Sequence, residues 1–176
     1  MLLGQLFHTA IRTADLNATT RFYLEVLGMI LAERPPINFP GVWIRPPTPG
    51  GDAIFHIYAG DAAKEPDGSV LSGAGAIDHI SVQAQGYSQF RERFKKFNLQ
   101  WRENLVPATA LWQLFIYDPN GILLELTFHQ AAEDELVPVI AKERQYVARE
   151  RWFKPELYRQ FAAPAPQLDK ATERSA

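Results

Sequence analysis

His8, His56, His79 and Glu125 are the residues of this chain whose types and placing could do chemistry. Each sits inside a short, mostly apolar run that reads as a strand: Leu6 to Ile11, Ala53 to Tyr58, Ala76 to Val82 and Ile122 to Thr127. An imidazole or carboxylate buried in such a run is costly unless something compensates, and a metal ion does so directly. Three neutral imidazoles and one carboxylate around a divalent first-row ion leave two octahedral positions open, enough to grip a substrate through two adjacent oxygens. Chelation of that kind withdraws charge from the neighbouring carbon, acidifies its proton and stabilises an enediolate.

Other chemistries are disfavoured by composition. The chain has 176 residues and no cysteine, so disulfides, thiolate-ligated zinc and thiol nucleophiles are all absent, and any ligation is through nitrogen and oxygen. Its 18 basic and 20 acidic residues give a formal charge of -2, which provides no basic field for nucleic acid or an anionic membrane. Met1-Leu2-Leu3-Gly4 lacks the basic and apolar regions of a signal peptide, and no stretch approaches the roughly 18 apolar residues of a membrane span. The expectation is a cytoplasmic protein without nucleic-acid or membrane partners, and without a nucleotide cofactor.

The elements that must position the four residues occur twice. A strand near residues 6–13 is followed by a helix that Asp15 can cap and Gly28 can close, and then by runs at 29–32, 42–44 and 53–58 separated by proline and glycine breakers. From Ala76 the order recurs: a strand through Val82, a helix bearing Phe90, Phe94 and Phe97, strands near 100–103 and 111–117, the turn Asp118-Pro119-Asn120-Gly121, and a strand over 122–128. The offset is 71 from His8 to His79, 72 from Ile44 to Ile116 and 69 from His56 to Glu125. The drop of three falls where the first half has the longer Pro/Gly loop, so loop length accounts for it. The reading is therefore an α+β fold of two βαβββ modules, at about 5–60 and 76–130, joined by a linker over 61–75. A C-terminal extension from 131 reads as one or two helices between Glu133 and Phe161, with Leu136, Ile140 and Val147 on one stripe and a frayed tail from Pro164.

Two such halves, with His on the first strand of each and Glu on the last strand of the second, resemble the vicinal oxygen chelate superfamily: glyoxalase I, methylmalonyl-CoA epimerase, extradiol dioxygenases, and bleomycin- and fosfomycin-resistance proteins. The stretches that carry the resemblance are Phe7-His8-Thr9-Ala10-Ile11-Arg12, Arg21-Phe22-Tyr23, Leu27-Gly28-Met29, Asp78-His79-Ile80, and Asp118-Pro119-Asn120-Gly121 before Leu124-Glu125. They span residues 6–129. The resemblance implies a cup-shaped mixed sheet in which the first and last strands of both halves bring their ligands to one divalent ion, of iron, nickel, cobalt, zinc or manganese. It implies a small-molecule substrate and a homodimer, with the cup completed within one chain or by halves of two. His56 departs from the pattern, since the glyoxalases carry a carboxylate at that place and the epimerase an amide.

The resemblance maps metal ligation onto His8, His56, His79 and Glu125. By likeness to glyoxalase I it gives Glu125 the proton-transfer role, with His56 as the second such group. Strand alternation puts Leu6, Ala10 and Arg12 on the face of His8, Tyr58 with His56, Ser81 and Gln83 with His79, and Leu123, Thr127 and His129 with Glu125. Arg12, Tyr58, Ser81, Gln83, Thr127 and His129 are accordingly the candidate substrate-binding residues. Three activities stand beside one another. A glyoxalase-type lyase or isomerase leads. An iron-dependent ring-cleaving dioxygenase would use His8, His79 and Glu125 alone, leaving His56 as an acid or base, because dioxygen needs a third open position. A drug-sequestering resistance protein would need no ligands at all.

Overall fold

The computed structural model describes residues 1–163. They form two compact units: one up to Leu71 together with the stretch from Gln160, the other from Ser72 to Arg159. Each unit is built on a four-stranded mixed sheet, and the sheets repeat one topology.

In the first unit β1 (Thr9–Arg12), β2 (Ile30–Ala32), β3 (Gly41–Arg45) and β4 (Phe55–Tyr58) lie in the order β1-β4-β3-β2, with β1 parallel to β4 and the other pairs antiparallel. Between β1 and β2 runs α1 (Leu16–Arg21), which widens into a π-helical turn over Phe22–Val26. Asp15 caps α1, accepting from the Ala18 amide at 2.9 Å, and Gly28 ends the helical stretch with φ of 71°. Ile11, Ile44, Phe55 and Ile57 point to one face of the sheet and are buried with Phe22, Tyr23 and Val26, the Tyr23 and Phe55 rings lying 4.9 Å apart. Ala10, Arg12, Trp43, His56 and Tyr58 follow the opposite alternation and share the other face, where His8, just ahead of β1, stacks on His56. At the end of the described chain Phe161 packs edge-on against Phe22, and the Arg21 guanidinium donates to the Gln160 carbonyl.

In the second unit β5 (Ile80–Ala84), β6 (Trp101–Leu105), β7 (Leu111–Tyr117) and β8 (Leu123–His129) are ordered β5-β8-β7-β6, again with the first and last strands parallel. Helix α2 (Tyr87–Lys96) covers one face through Tyr87, Phe90 and Phe94, which meet Trp112, Phe128 and Trp101. On that side Glu103 is almost fully buried and accepts from the Tyr87 hydroxyl at 2.7 Å and Trp101 Nε1 at 2.9 Å, with Arg91 Nε at 3.4 Å. The Asp118 carboxylate accepts from the amides of Asn120 and Ile122 and so locks the turn into β8.

The extension differs from the helical expectation. Among the described residues its helical stretches are the 3-10 segments Gln130–Ala132, Lys142–Arg144 and Pro155–Phe161, and Leu136 and Val147 are exposed. Pro138 and Pro155 interrupt the stretch, and Val137, Val139 and Ile140 around the first proline are β-branched, so a continuous helix is disfavoured. Residues 131–159 belong to the second unit and wrap its β6 edge as a strap. The strap begins at the N-terminus of α2, where Glu133 accepts from the Gly86 and Tyr87 amides and Glu135 from the Ser88 amide and hydroxyl. Further on, Gln145 pairs with Glu103 and the Tyr146 amide donates to the Glu103 carbonyl at 2.9 Å, adding a rung that covers the free edge of β6. In the expected linker, Gly60–Ala63 form a 3-10 turn with Ala63 buried, so its first part is packed rather than loose. The expected frayed tail from Pro164 lies outside the described residues.

Candidate metal centre

The register of the two sheets puts equivalent residues in equivalent places. His56 on β4 lies opposite Ala10 on β1 and Trp43 on β3, while Glu125 on β8 lies opposite Ser81 on β5 and Phe115 on β7. Each unit brings two of the four ligand candidates side by side, one on the last strand of its sheet and one just ahead of the first, rather than within it as the sequence suggested.

In the first unit His8 precedes β1, and its ring stacks on that of His56 with centroids 3.9 Å apart. Trp43 stacks on the other side of His56 at 4.1 Å and 5° from parallel. This sandwich buries His56 to 6% exposure. Burial pushes the His56 imidazole below its usual value; His8 and Arg34 add to the shift, whereas a hydrogen bond to the Ala53 carbonyl opposes it. Burial thus favours the neutral ring, the form in which an imidazole ligates a metal. His8 Nδ1 is buried with no hydrogen-bond partner among the described residues, and so is Trp43 Nε1. An orphaned imidazole nitrogen beside a second imidazole is a donor arrangement that suits a cation.

In the second unit His79 Nε2 faces Glu125 Oε2 at 3.1 Å. The other carboxylate oxygen, Oε1, accepts from Ser81 Oγ at 2.8 Å and Thr127 Oγ1 at 2.5 Å. Each hydroxyl has a single proton, so with both spent on Oε1 the 3.0 Å approach of Ser81 to Thr127 is a consequence of their shared acceptor. Across the ring, His79 Nδ1 pairs with Asp78 Oδ1 at 2.7 Å, which leaves Nε2 as the nitrogen turned towards Glu125. The bond from His79 holds the Asp78 carboxyl below the usual carboxylate range, helped by the Tyr146 hydroxyl and opposed by burial. Tyr146 comes from the strap; its ring stacks on Phe115 at 3.8 Å and 9°, and its hydroxyl reaches Asp78 Oδ1 at 3.2 Å. Burial first, then Asp78, pushes the Tyr146 phenol up to about 12.

The other expected site residues have distinct surroundings. Arg12 is paired with Glu65, and Tyr58 lies opposite it in register, its ring 4.9 Å from Phe39. Ser81 and Thr127 organise the Glu125 carboxylate instead of standing free for a ligand. Gln83 is exposed one row further along the face, opposite Thr127, and His129 is exposed at the end of β8. Among the described residues no three His, Asp or Glu side chains are grouped as metal ligands; the donors come in pairs, one pair per unit. The donor set itself, imidazoles and a carboxylate, suits a divalent first-row ion, and His79 and Glu125 have their far sides hydrogen-bonded. Sequence reasoning missed Asp78, Tyr146, Trp43 and Phe115. Trp43 could have been found, because the offset of 72 that relates Ile44 to Ile116 also relates Trp43 to Phe115.

Comparison with known proteins settles the family. The family profile described as the glyoxalase/bleomycin resistance protein/dioxygenase superfamily matches residues 5–126, over half of the chain. The chain belongs to that superfamily. A curated relative, "Glyoxylase I 4" of Arabidopsis thaliana, is 26% identical over 127 residues, covering 70% of each chain. Among solved structures, a lactoylglutathione lyase from Agrobacterium tumefaciens is 18% identical with a TM-score of 0.53 over 73% of this chain and 96% of its own. A genomically encoded fosfomycin resistance protein from Listeria monocytogenes is 19% identical with a TM-score of 0.53 over 72% and 94%. These likenesses show the fold of two βαβββ modules. The strap beyond residue 130 lies outside the family match. Among the described residues no helix is long and apolar enough to cross a membrane.

Proposed function

We propose that this superfamily member is a divalent-metal-dependent enzyme of the glyoxalase-type lyase or isomerase kind, binding a small substrate through two adjacent oxygens. His8 and His56 from the first unit and His79 and Glu125 from the second are the proposed ligands of one ion, contributed by the units of one chain or of two chains in a homodimer. The observation that carries the reading is the state of Glu125. Its Oε1 is fixed by two hydroxyls while its Oε2 is turned towards an imidazole nitrogen whose far side is already hydrogen-bonded. A core carboxylate would be satisfied on both oxygens by dedicated donors; this one keeps one oxygen for a ligand or a proton.

A bound ion would supply Lewis acidity at the two substrate oxygens and so acidify the adjacent C–H. Glu125 would give up its place on the ion to take that proton on Oε2, with the Ser81 and Thr127 hydroxyls holding the carboxylate through Oε1. His56, whose burial between His8 and Trp43 favours the neutral ring, is the proposed second proton-transfer group. Gln83 and His129 in the second unit, and Tyr58 and Arg12 in the first, are the proposed substrate-binding residues; Arg12 must leave Glu65 to meet a substrate carboxylate. The names of the Arabidopsis and Agrobacterium relatives point to the same class of chemistry.

The test is hydrogen exchange. Protein loaded in turn with nickel, cobalt, zinc, manganese or iron is mixed in D2O with α-hydroxyketones and with the thiohemiacetal formed from methylglyoxal and a thiol, and the carbon-bound proton is followed by NMR. Metal-dependent deuterium uptake abolished by chelator is the expected result. An absence of exchange with every metal, together with oxygen consumption on a catechol panel by the iron form, would replace this reading with ring cleavage.

A further inference from the structure

We infer that Tyr146, on the strap that the family match does not cover, is a positioning residue for His79, acting through Asp78. The inference rests on the proposed metal-binding role of His79. Three side chains form a line in the second unit: the Tyr146 hydroxyl donates to Asp78 Oδ1 at 3.2 Å, and the same oxygen pairs with His79 Nδ1 at 2.7 Å. His79 Nε2 is the next atom in that line, 3.1 Å from Glu125 Oε2.

Asp78 cannot hold this geometry unaided. Its side chain is 64% exposed and sits just ahead of β5, so an aspartate rotor there would be free to swing into solvent. A second donor on the same oxygen restricts it, and the imidazole it grips is restricted in turn. Tyr146 is well suited to that task because it is fixed at three points. Its amide is bonded to the Glu103 carbonyl, its ring is stacked on Phe115, and Trp152 packs against it with centroids 6.1 Å apart. Phe115 also meets the His79 ring edge-on at 5.8 Å, so Tyr146 and His79 touch the same aromatic side chain from different directions. A strap that only covered a sheet edge would need the amide bond and the stacked ring; the hydroxyl aimed at Asp78 has no part in that covering.

The test separates hydroxyl from ring. Cobalt(II) is titrated into wild type, Tyr146→Phe, Tyr146→Ala, Asp78→Asn and the Asp78→Asn/Tyr146→Phe double variant, reading the visible absorption bands of the bound ion and, separately, thermal stability. Tyr146→Phe keeps the stack, so its melting temperature stays near wild type while cobalt binds about 3- to 10-fold more weakly, the loss of one modest hydrogen bond. Asp78→Asn loses about 10- to 100-fold. Adding Tyr146→Phe to Asp78→Asn costs nothing further, because the hydroxyl acts only through that carboxylate. Tyr146→Ala lowers stability as well as affinity. Wild-type cobalt affinity and spectrum in Tyr146→Phe, or additive losses in the double variant, would overturn the inference while leaving the metal centre intact. A wild-type protein that takes up no cobalt would remove the metal centre and the inference with it.

Discussion

Replacement of Glu125 by Gln tests how the carboxylate is used. The amide is nearly the same shape, so its carbonyl oxygen can still accept from Ser81 Oγ and Thr127 Oγ1, now 2.8 and 2.5 Å from Oε1. Its NH2 then occupies the place of Oε2, 3.1 Å from His79 Nε2, where it can neither ligate nor accept a proton. Two bonds to a charged acceptor become bonds to a neutral one, a loss of about 1 kcal/mol each. Removing a charge from a site only 6% exposed offsets part of that. The net cost is on the order of 1 kcal/mol, or about 2–4 °C in melting temperature for a chain of this length. Turnover has no such compensation, and losing a positioned base costs about 10²- to 10⁴-fold in kcat. The assay is steady-state kinetics at saturating metal, with bound metal measured in the same samples and melting followed by circular dichroism. A variant that folds, holds metal and turns over within about threefold of wild type would remove Glu125 from proton transfer.

Three further outcomes follow from the packing. Glu103→Leu strands the Tyr87 hydroxyl and Trp101 Nε1 in the interior and should lower stability by about 2–5 kcal/mol, measured by urea unfolding, since each orphaned donor costs about 1–3 kcal/mol. Glu133→Ala removes the acceptor of the Gly86 and Tyr87 amides at the start of α2 and should cost about 1–2 kcal/mol, with faster proteolysis within 131–150 as the sign that the strap has loosened. Burial raises the phenol pKa of both Tyr87 and Tyr158 above the ordinary 10.0. A raised folded-state value means that the stabilisation is fully present below pH 10 and is lost as pH climbs beyond it, so the melting temperature should fall steeply above that point. A flat profile up to pH 11 would contradict the burial of both hydroxyls.

Much of the fold was legible because its signals are local or periodic. The Asp15 cap, the Gly28 stop and the Asp118-Pro119-Asn120-Gly121 turn are short-range backbone chemistry, and each has its expected form. The near-constant offset between halves carried the order of elements along the chain, and period-two alternation grouped Tyr58 with His56 and Thr127 with Glu125; the cross-strand pairings of Arg12 with Tyr58 and Ser81 with Glu125 came only from the register of the sheets. The strap was illegible for the opposite reason. Leu136, Ile140 and Val147 fit a helical stripe by spacing, yet what anchors the segment is a pair of glutamates on the N-terminus of α2 and an edge rung on β6, contacts spanning 47 and 43 residues. Tyr146 and Asp78 are 68 residues apart, and no local pattern links them. His56 illustrates an intermediate case: its strand and face followed from sequence, whereas its stacking between His8 and Trp43 depended on pairing β4 with both neighbours.

The central claim is that three imidazoles and one carboxylate hold a single divalent ion. X-ray absorption spectroscopy of the zinc- or nickel-loaded protein addresses it most directly. The account predicts nitrogen and oxygen neighbours at about 2.0–2.2 Å, outer-shell scattering for three imidazoles, and loss of one imidazole in each of His8→Ala, His56→Ala and His79→Ala. A spectrum with no imidazole scattering, or one unchanged by all three substitutions, would contradict it.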